Sequence, residues 1–155
     1  MAPRVEQEIV IDAPVDVVWR VVTEPEQVSR WFSDEVDLEA TPGYEGVLTF
    51  NDQATKQSRR VHVTVRSVEP ERSFSYRWQH PPGAAAVEGN SVLVEFTLTP
   101  EGDGTRLRVV ETGLERMGWS QEQQDTFVRE HNHGWLTYLA RLRDYLGRQR
   151  VDQAQ

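Results

Sequence analysis

Apolar and charged residues alternate at the start of the chain and again through its middle. In residues 4–11, Ile9 and Ile11 fall on one face of an extended segment and Glu6 and Glu8 on the other, which predicts a strand with one buried side. Shorter alternating runs, separated by turn residues, predict six more strands over 35–40, 46–50, 60–68, 72–79, 90–99 and 105–112. Because the connections are short and no helical pattern interrupts them, we expect the seven strands to form an antiparallel meander.

Two short helices are predicted directly after the first strand. Asp12 is the expected N-cap of the first helix, which contains Pro14 near its start and ends before Pro25. The second begins at Pro25 and closes on Trp31 and Phe32.

The longest helix is predicted near the C terminus. Ser120 and Gln123 form a capping-box pattern, and apolar residues then recur at helical spacing until Gly147, where we expect the helix to end and a tail over 148–155 to begin. About 26 helical residues would extend about 39 Å, which is close to the diameter of a globule of this length, about 40 Å. A helix that crosses the whole molecule needs one large apolar partner, and the concave face of a curved sheet is a surface of that size.

One charged residue is predicted to face the inside of the sheet. Successive side chains of a strand alternate between its faces, so Glu111 shares the inward face of the last strand with Val109. A carboxylate in such a row needs a partner, a water-filled cavity or a raised pKa. His131 falls between Phe127 and Trp135 in the apolar stripe of the long helix, so its ring should point toward the same interior. Either the two side chains line the polar part of a cavity, or Glu111 reaches solvent and His131 has an ordinary hydrogen-bond partner.

Composition and charge narrow the range of functions. The 155 residues include no cysteine, which excludes disulfides, thiolate metal sites and thiol nucleophiles. With 17 basic and 25 acidic residues the net charge is −8, which argues against a nucleic-acid partner. No membrane-spanning run or signal peptide is apparent, so we expect a cytoplasmic protein. Four scattered histidines predict no metal site, and no phosphate loop, dinucleotide fingerprint or nucleophile elbow indicates a cofactor or a hydrolase.

Five segments of the chain, in order, carry a resemblance to a known family. They read IDAPVDVVWRVVTEPEQVSRWF, PGYEGVLTF, VEPERSFSYRW, VEFTLTPEGDGTRLRVVETGL and GWLTYLARLRDYL. Over about residues 5–147 the chain resembles the single-domain proteins related to the C-terminal domain of the Hsp90 ATPase activator Aha, in the START-like or SRPBCC superfamily. The resemblance implies one domain over 1–155 with an α+β helix-grip fold of the Bet v 1 type, in which a curved seven-stranded antiparallel sheet surrounds a long C-terminal helix. It also implies a cavity between sheet and helix that often holds a hydrophobic small molecule.

The leading hypothesis is that the protein binds a hydrophobic or aromatic small molecule in that cavity. We expect a continuous pocket of several hundred cubic ångströms that opens near a flap around Trp119. The candidate ligand-binding residues are Trp31, Phe32, Tyr76, Trp78, Glu111, Trp119, His131 and Trp135.

Two other functions are less favoured by the sequence. A cyclase- or hydratase-like enzyme would use Glu111 and His131 as acid and base, but the polar pocket residues of polyketide-cyclising superfamily members have no match here. An interaction module for an Hsp90-type chaperone would lack the additional N-terminal domain through which the eukaryotic activator makes major chaperone contacts. The sequence is also compatible with a homodimer.

Overall fold

The concave face of one antiparallel sheet organises the molecule. A computed structural model describes residues 3–154, with side chains through residue 149. Within these residues seven strands form the sheet: β1 (Val5–Ile11), β2 (Glu35–Asp37), β3 (Glu45–Asn51), β4 (Ser58–Glu69), β5 (Ser73–Trp78), β6 (Val92–Glu101) and β7 (Gly104–Thr112). The same residues contain three α-helices, α1 (Val15–Thr23), α2 (Pro25–Val28) and α3 (Gln121–Ala154), and a 3₁₀ turn over Leu114–Arg116.

Six of the strands form the predicted meander, and β1 is the exception. The strand order is β1-β7-β6-β5-β4-β3-β2, so β1 pairs with β7 at the edge opposite β2. The connection between β1 and β2 contains α1 and α2, which make it long enough to pass from one edge to the other. Where β7 begins, a Cβ atom on Gly104 would lie 2.5 Å from the carbonyl oxygen of Ile11, so this close approach requires glycine.

The residues on the inward faces of β4, β5, β6 and β7 are buried. They are Val61, Val63 and Val65 on β4, Phe74, Tyr76 and Trp78 on β5, Val92, Val94, Phe96 and Leu98 on β6, and Leu107, Val109 and Glu111 on β7. A bulge between Val65 and Ser67 shifts the register of β4 and β5 and adds curvature there. The buried side of α3, which includes Trp135 and Leu139, packs over this face. The predicted α+β helix-grip architecture is therefore confirmed.

Helix α3 begins as predicted and ends later. The backbone N–H of Ser120 donates to the Gln123 side-chain oxygen at 2.8 Å, and the Gln123 N–H donates to Ser120 Oγ at 3.1 Å, which confirms the capping box. The predicted end at Gly147 is wrong, because the helix continues to Ala154 through most of the expected tail 148–155. Residue 155 lies outside the described residues. Continuing a formed helix through a glycine costs only about 1 kcal/mol relative to alanine.

Helix α1 begins later than predicted. Pro14 rather than Asp12 is the N-cap, with an extended backbone (φ −65°, ψ 158°), and its carbonyl oxygen accepts the N–H of Val18 at 3.1 Å. Proline suits this position because an N–H there would have no partner inside the helix.

The second short helix begins at Pro25 as predicted but ends at Val28. Trp31 and Phe32 therefore follow α2 in a turn, from which both side chains enter the core.

The described residues contain neither a membrane-spanning helix nor a cluster of metal-binding side chains. None of their helices is long and apolar enough to span a membrane. Within the same part of the chain, no group of three or more His, Asp or Glu side chains is placed to hold a metal ion.

Candidate functional site

Glu111 is a carboxylate that the sheet places inside the molecule. It ends the inward row of β7, and 0% of its side chain is exposed. Its Oε1 accepts the indole N–H of Trp78 at 2.9 Å. Its Oε2 accepts the indole N–H of Trp135 at 2.9 Å and lies 2.7 Å from Nδ1 of His131. The alternative in which Glu111 reaches solvent is therefore wrong.

These three contacts explain how a carboxylate is accommodated in the core. Moving an ion from water into a protein interior costs several kcal/mol even after relaxation. Each hydrogen bond to a charged acceptor contributes about 1.5–3 kcal/mol, so three such bonds are of the size needed to offset that cost. Every buried side-chain nitrogen and oxygen among the described residues has a hydrogen-bond partner. The cluster of Glu111, Trp78, Trp135 and His131 is thus a satisfied polar network within an apolar core.

The carboxylate fixes the orientation of the His131 ring. Because an ionised carboxylate only accepts hydrogen bonds, Nδ1 carries the hydrogen and a neutral imidazole has its lone pair on Nε2. Phe127 stacks on the ring, with centroids 3.6 Å apart, and the edge of Trp78 approaches it at 5.9 Å. Nε2 has no partner among the described residues, yet it is not a buried unsatisfied atom, so it reaches the surface. A ligand can therefore bind at Nε2 while Nδ1 stays held.

A cleft of about 220 Å³ lies beside the cluster and opens to solvent. Its lining combines aromatic rings with a few polar groups: Phe32, Phe50, Arg59, Trp78, Glu130, His131, Gly134, Trp135 and Tyr138. Phe32 stacks on Trp135 with ring centroids 5.1 Å apart, and it packs edge-to-face with Tyr138 at a centroid distance of 5.0 Å. The three rings therefore pack against one another.

This cleft is smaller than the pocket that the sequence led us to expect. The prediction was a continuous cavity of several hundred cubic ångströms. Next to Glu111, however, the space between sheet and α3 is occupied by the stacked rings of Phe32, Trp78 and Trp135. A cleft of 220 Å³ lies below the usual range of ligand pockets, about 300–1,000 Å³, and suits a small ring system.

The structure brings five of the eight predicted site residues together. Phe32, Trp78, His131 and Trp135 line the cleft, and Glu111 lies directly behind it.

The other three predicted residues lie outside the cleft lining. Tyr76 is buried behind Trp78, and burial, followed by the charge of Glu111, raises the pKa of its hydroxyl well above the ordinary value. Trp31 stacks on Phe32 and donates its indole N–H to the Val21 carbonyl at 2.9 Å. Trp119 packs against Phe127, the residue that stacks on His131.

The sequence reasoning missed several residues of the cleft. Gly134 and Tyr138 follow His131 by three and seven positions, so helical spacing alone could have placed them on the same side of α3. Phe50 has the inward parity of Leu48, but its proximity to Arg59 depends on the pairing of β3 with β4. Glu130 precedes His131, and no feature of the sequence distinguished it as a residue of the cleft.

A larger groove of about 670 Å³ lies elsewhere, between α1 and the C-terminal part of α3. Its walls include Val17, Val21 and Leu146, and its polar lining includes Arg20 and Glu24. It contains none of the predicted site residues, and the imidazole that projects an unpaired nitrogen is at the smaller cleft. We therefore take the smaller cleft as the candidate site.

Comparison with known proteins identifies relatives over almost the whole chain. The family model described as "Activator of Hsp90 ATPase homolog 1-like protein" matches residues 12–147. No curated protein matches the chain significantly.

Several solved structures share the fold. Protein MLL2253 from Mesorhizobium loti is 24% identical with a TM-score of 0.75, and the match covers 94% of this chain and 98% of that one. DynU16, a protein of the dynemicin biosynthetic locus, is 27% identical with a TM-score of 0.73, over 93% of this chain and 47% of DynU16. The chain thus spans about half the length of DynU16. The Aha1 dimer from Colwellia psychrerythraea is 17% identical with a TM-score of 0.68, over 92% of this chain and 94% of that one, which shows a common fold.

Proposed function

The chain belongs to the family of activator of Hsp90 ATPase homolog 1-like proteins, and we propose that it binds a small aromatic molecule in the cleft beside Glu111 and His131. The observation that carries this proposal is that His131, whose ring is held by Glu111 and whose Nε2 is not buried, lines a cleft together with aromatic side chains. Ligand sites commonly combine apolar walls with a few oriented polar groups.

The lining favours a flat ligand with one hydrogen-bonding group. Phe32, Trp78 and Trp135 present nearly parallel rings, at 21–28° to one another, and a further ring can stack or pack edge-on against such a group. A hydroxyl on that ligand can donate to Nε2 of neutral His131. The ligand class is thus a small aromatic alcohol rather than a long aliphatic chain.

Glu111 orients His131 but does not itself contact a ligand in the cleft. Its two oxygens are fully buried and already accept hydrogen bonds, so a ligand in the cleft meets His131 and not the carboxylate. The acid-and-base alternative needs both groups within hydrogen-bond reach of one ligand position. The buried position of Glu111 does not meet that requirement, so binding is the function supported best.

Naphthol is a suitable test ligand, because it has two fused rings and one hydroxyl. Titration should move the indole N–H signals of Trp78 and Trp135 in two-dimensional NMR spectra and leave that of Trp19 on α1 unchanged. Methylnaphthalene, with a methyl group in place of the hydroxyl, should bind about 2–10-fold more weakly, the usual value of one hydrogen bond. The His131→Phe variant should remove this difference.

Two outcomes would contradict the proposal. Absence of a saturable shift of the Trp78 and Trp135 signals would exclude binding at the cleft by this class of ligand. Equal affinity of the wild-type protein for naphthol and methylnaphthalene would exclude a role for Nε2 of His131.

The remaining expectations about partners stay proposals. The Colwellia Aha1 relative is a dimer, which supports testing this chain for a homodimer by light scattering. The expectation that an Hsp90-type chaperone is not a partner and the expectation of a cytoplasmic location remain predictions from the sequence.

A further inference from the structure

Gly134 occupies an unusual position in the middle of α3. Glycine is a poor helix former, and within a helix it normally has a packing or functional reason. Neither a left-handed backbone nor a steric conflict explains it, because a Cβ atom built on Gly134 meets nothing within 4 Å. Gly134 lines the cleft, and the position that a side chain would occupy there is open space.

We infer that Gly134 is the residue that determines the size of ligand the cleft accepts. This inference rests on the binding function proposed above. Gly134 lies one turn after His131 and one turn before Tyr138, so the missing side chain leaves the helix backbone open between two groups that line the cleft. A flat ring can lie against that backbone while its hydroxyl reaches Nε2 of His131.

The location of Gly134 also predicts how a substitution there changes the selectivity for ligands of different size. The cleft has about 220 Å³, so even one methyl group at position 134 takes up space that the ligand needs. In an apolar pocket one methylene changes affinity by about tenfold or more. A side chain at position 134 should therefore weaken the binding of a ligand with two fused rings more than the binding of a ligand with one ring.

Gly147 provides a matched control in the same helix. It is exposed, a Cβ atom there also meets nothing within 4 Å, and it does not line the cleft. Alanine at either position improves helix propensity, so Gly134→Ala and Gly147→Ala should both raise the thermal midpoint. A difference between them in binding then reports the cleft and not the stability of the helix.

The experiment measures the affinity of naphthol and phenol for the wild-type protein and the four variants Gly134→Ala, Gly134→Leu, Gly147→Ala and Gly147→Leu. We expect Gly134→Ala to weaken naphthol binding about tenfold and phenol binding less, and Gly134→Leu to abolish naphthol binding. Both Gly147 variants should bind like the wild type.

The outcomes separate this inference from the binding proposal. If folded Gly134→Leu binds naphthol within about twofold of the wild type, the inference is wrong and the binding proposal stands. If the Gly147 variants lose affinity equally, the effect comes from the helix and the inference is also wrong. If the wild-type protein binds neither naphthol nor phenol, both fail.

Discussion

Two glutamates on neighbouring strands occupy opposite faces of the same part of the sheet. Glu111 on β7 pairs with Val5 on β1, and Glu6, the next residue of β1, pairs with Val110. Glu111 faces inward and is fully buried, whereas 31% of the Glu6 side chain is exposed. Glu6 has cationic partners and Glu111 has neutral indole donors together with an imidazole.

The partners differ because the surroundings differ. On the outer face, Glu6 makes ion pairs with Arg4 and Arg108, and the hydrogen bond from Arg108 is the main cause that lowers the pKa of Glu6. Water screens such pairs, so they contribute little to stability. On the inner face, indole N–H groups satisfy the Glu111 carboxylate without bringing a second full charge into the core. The comparison predicts that loss of the buried carboxylate destabilises the fold more than loss of the more conspicuous ion pairs.

The strongest test of this comparison is to remove each carboxylate in turn. Glu111→Ala leaves the N–H groups of Trp78, Trp135 and His131 without an acceptor, and each buried donor left unsatisfied costs about 1–3 kcal/mol of unfolding free energy. Urea denaturation at neutral pH measures the loss. Glu6→Ala should change the midpoint far less, and Glu111→Gln should lie between them. Equal losses for Glu111→Ala and Glu6→Ala would contradict the comparison.

A second prediction separates a charged acceptor from a neutral one. Trp78 and Trp31 are both buried and each donates one indole hydrogen bond of 2.9 Å, Trp78 to the Glu111 carboxylate and Trp31 to the Val21 carbonyl. Replacing either by phenylalanine deletes the same atoms. Loss of the hydrogen bond should lower the free energy of unfolding by about 1.5–3 kcal/mol in Trp78→Phe and by about 1 kcal/mol in Trp31→Phe. Urea denaturation compares the two variants, and a larger loss in Trp31→Phe would show that charge does not strengthen the Glu111 contacts.

Local patterns were enough to predict most of the strands and the long helix and to single out Glu111, whereas the helix-grip fold was implied by the family resemblance. Strand parity needs only the alternation of side chains, so it placed Glu111 on the inward face, and helical spacing turned His131 toward it. The capping box at Ser120 was predicted for the same reason, since its two partners are three residues apart.

Features that depend on contacts between distant segments were not predicted. The indole groups of Trp78 and Trp135 reach Glu111 from β5 and α3 through side-chain orientations that alternation does not define. The cleft is narrow because Phe32, which comes from the turn after α2, fills the space between sheet and helix. The continuation of α3 past Gly147 likewise follows from a helix already formed, whereas glycine alone indicated an end.

A third prediction concerns alkaline pH and the neighbourhood of Glu111. Burial and then the charge of Glu111 raise the pKa of Tyr76, so the folded protein keeps this phenol neutral while the unfolded chain ionises above about pH 10. The stability linked to Tyr76 is therefore complete below about pH 10 and is lost as the pH rises toward the pKa of the folded state. Urea midpoints should fall less steeply above that pH in Tyr76→Phe than in the wild type. An identical pH dependence in Tyr76→Phe and the wild type would exclude the effect.

The smallest expected effect on stability is that of replacing Glu6 on the outer face of the sheet. Because Arg108 lowers the pKa of Glu6, the stability linked to Glu6 is present above the pKa of an unfolded glutamate, about 4.3, and is lost as the pH falls through the lower pKa of the folded state. Salt screens exposed ion pairs, so Glu6→Gln should reduce the neutral-pH urea midpoint slightly at low salt and not measurably at high salt. Glu111→Gln should remain destabilised at both salt concentrations, because solvent ions do not enter the core. A salt-sensitive Glu111→Gln, or a salt-insensitive loss in Glu6→Gln, would place the two carboxylates in the same electrostatic environment and remove the distinction between the two faces.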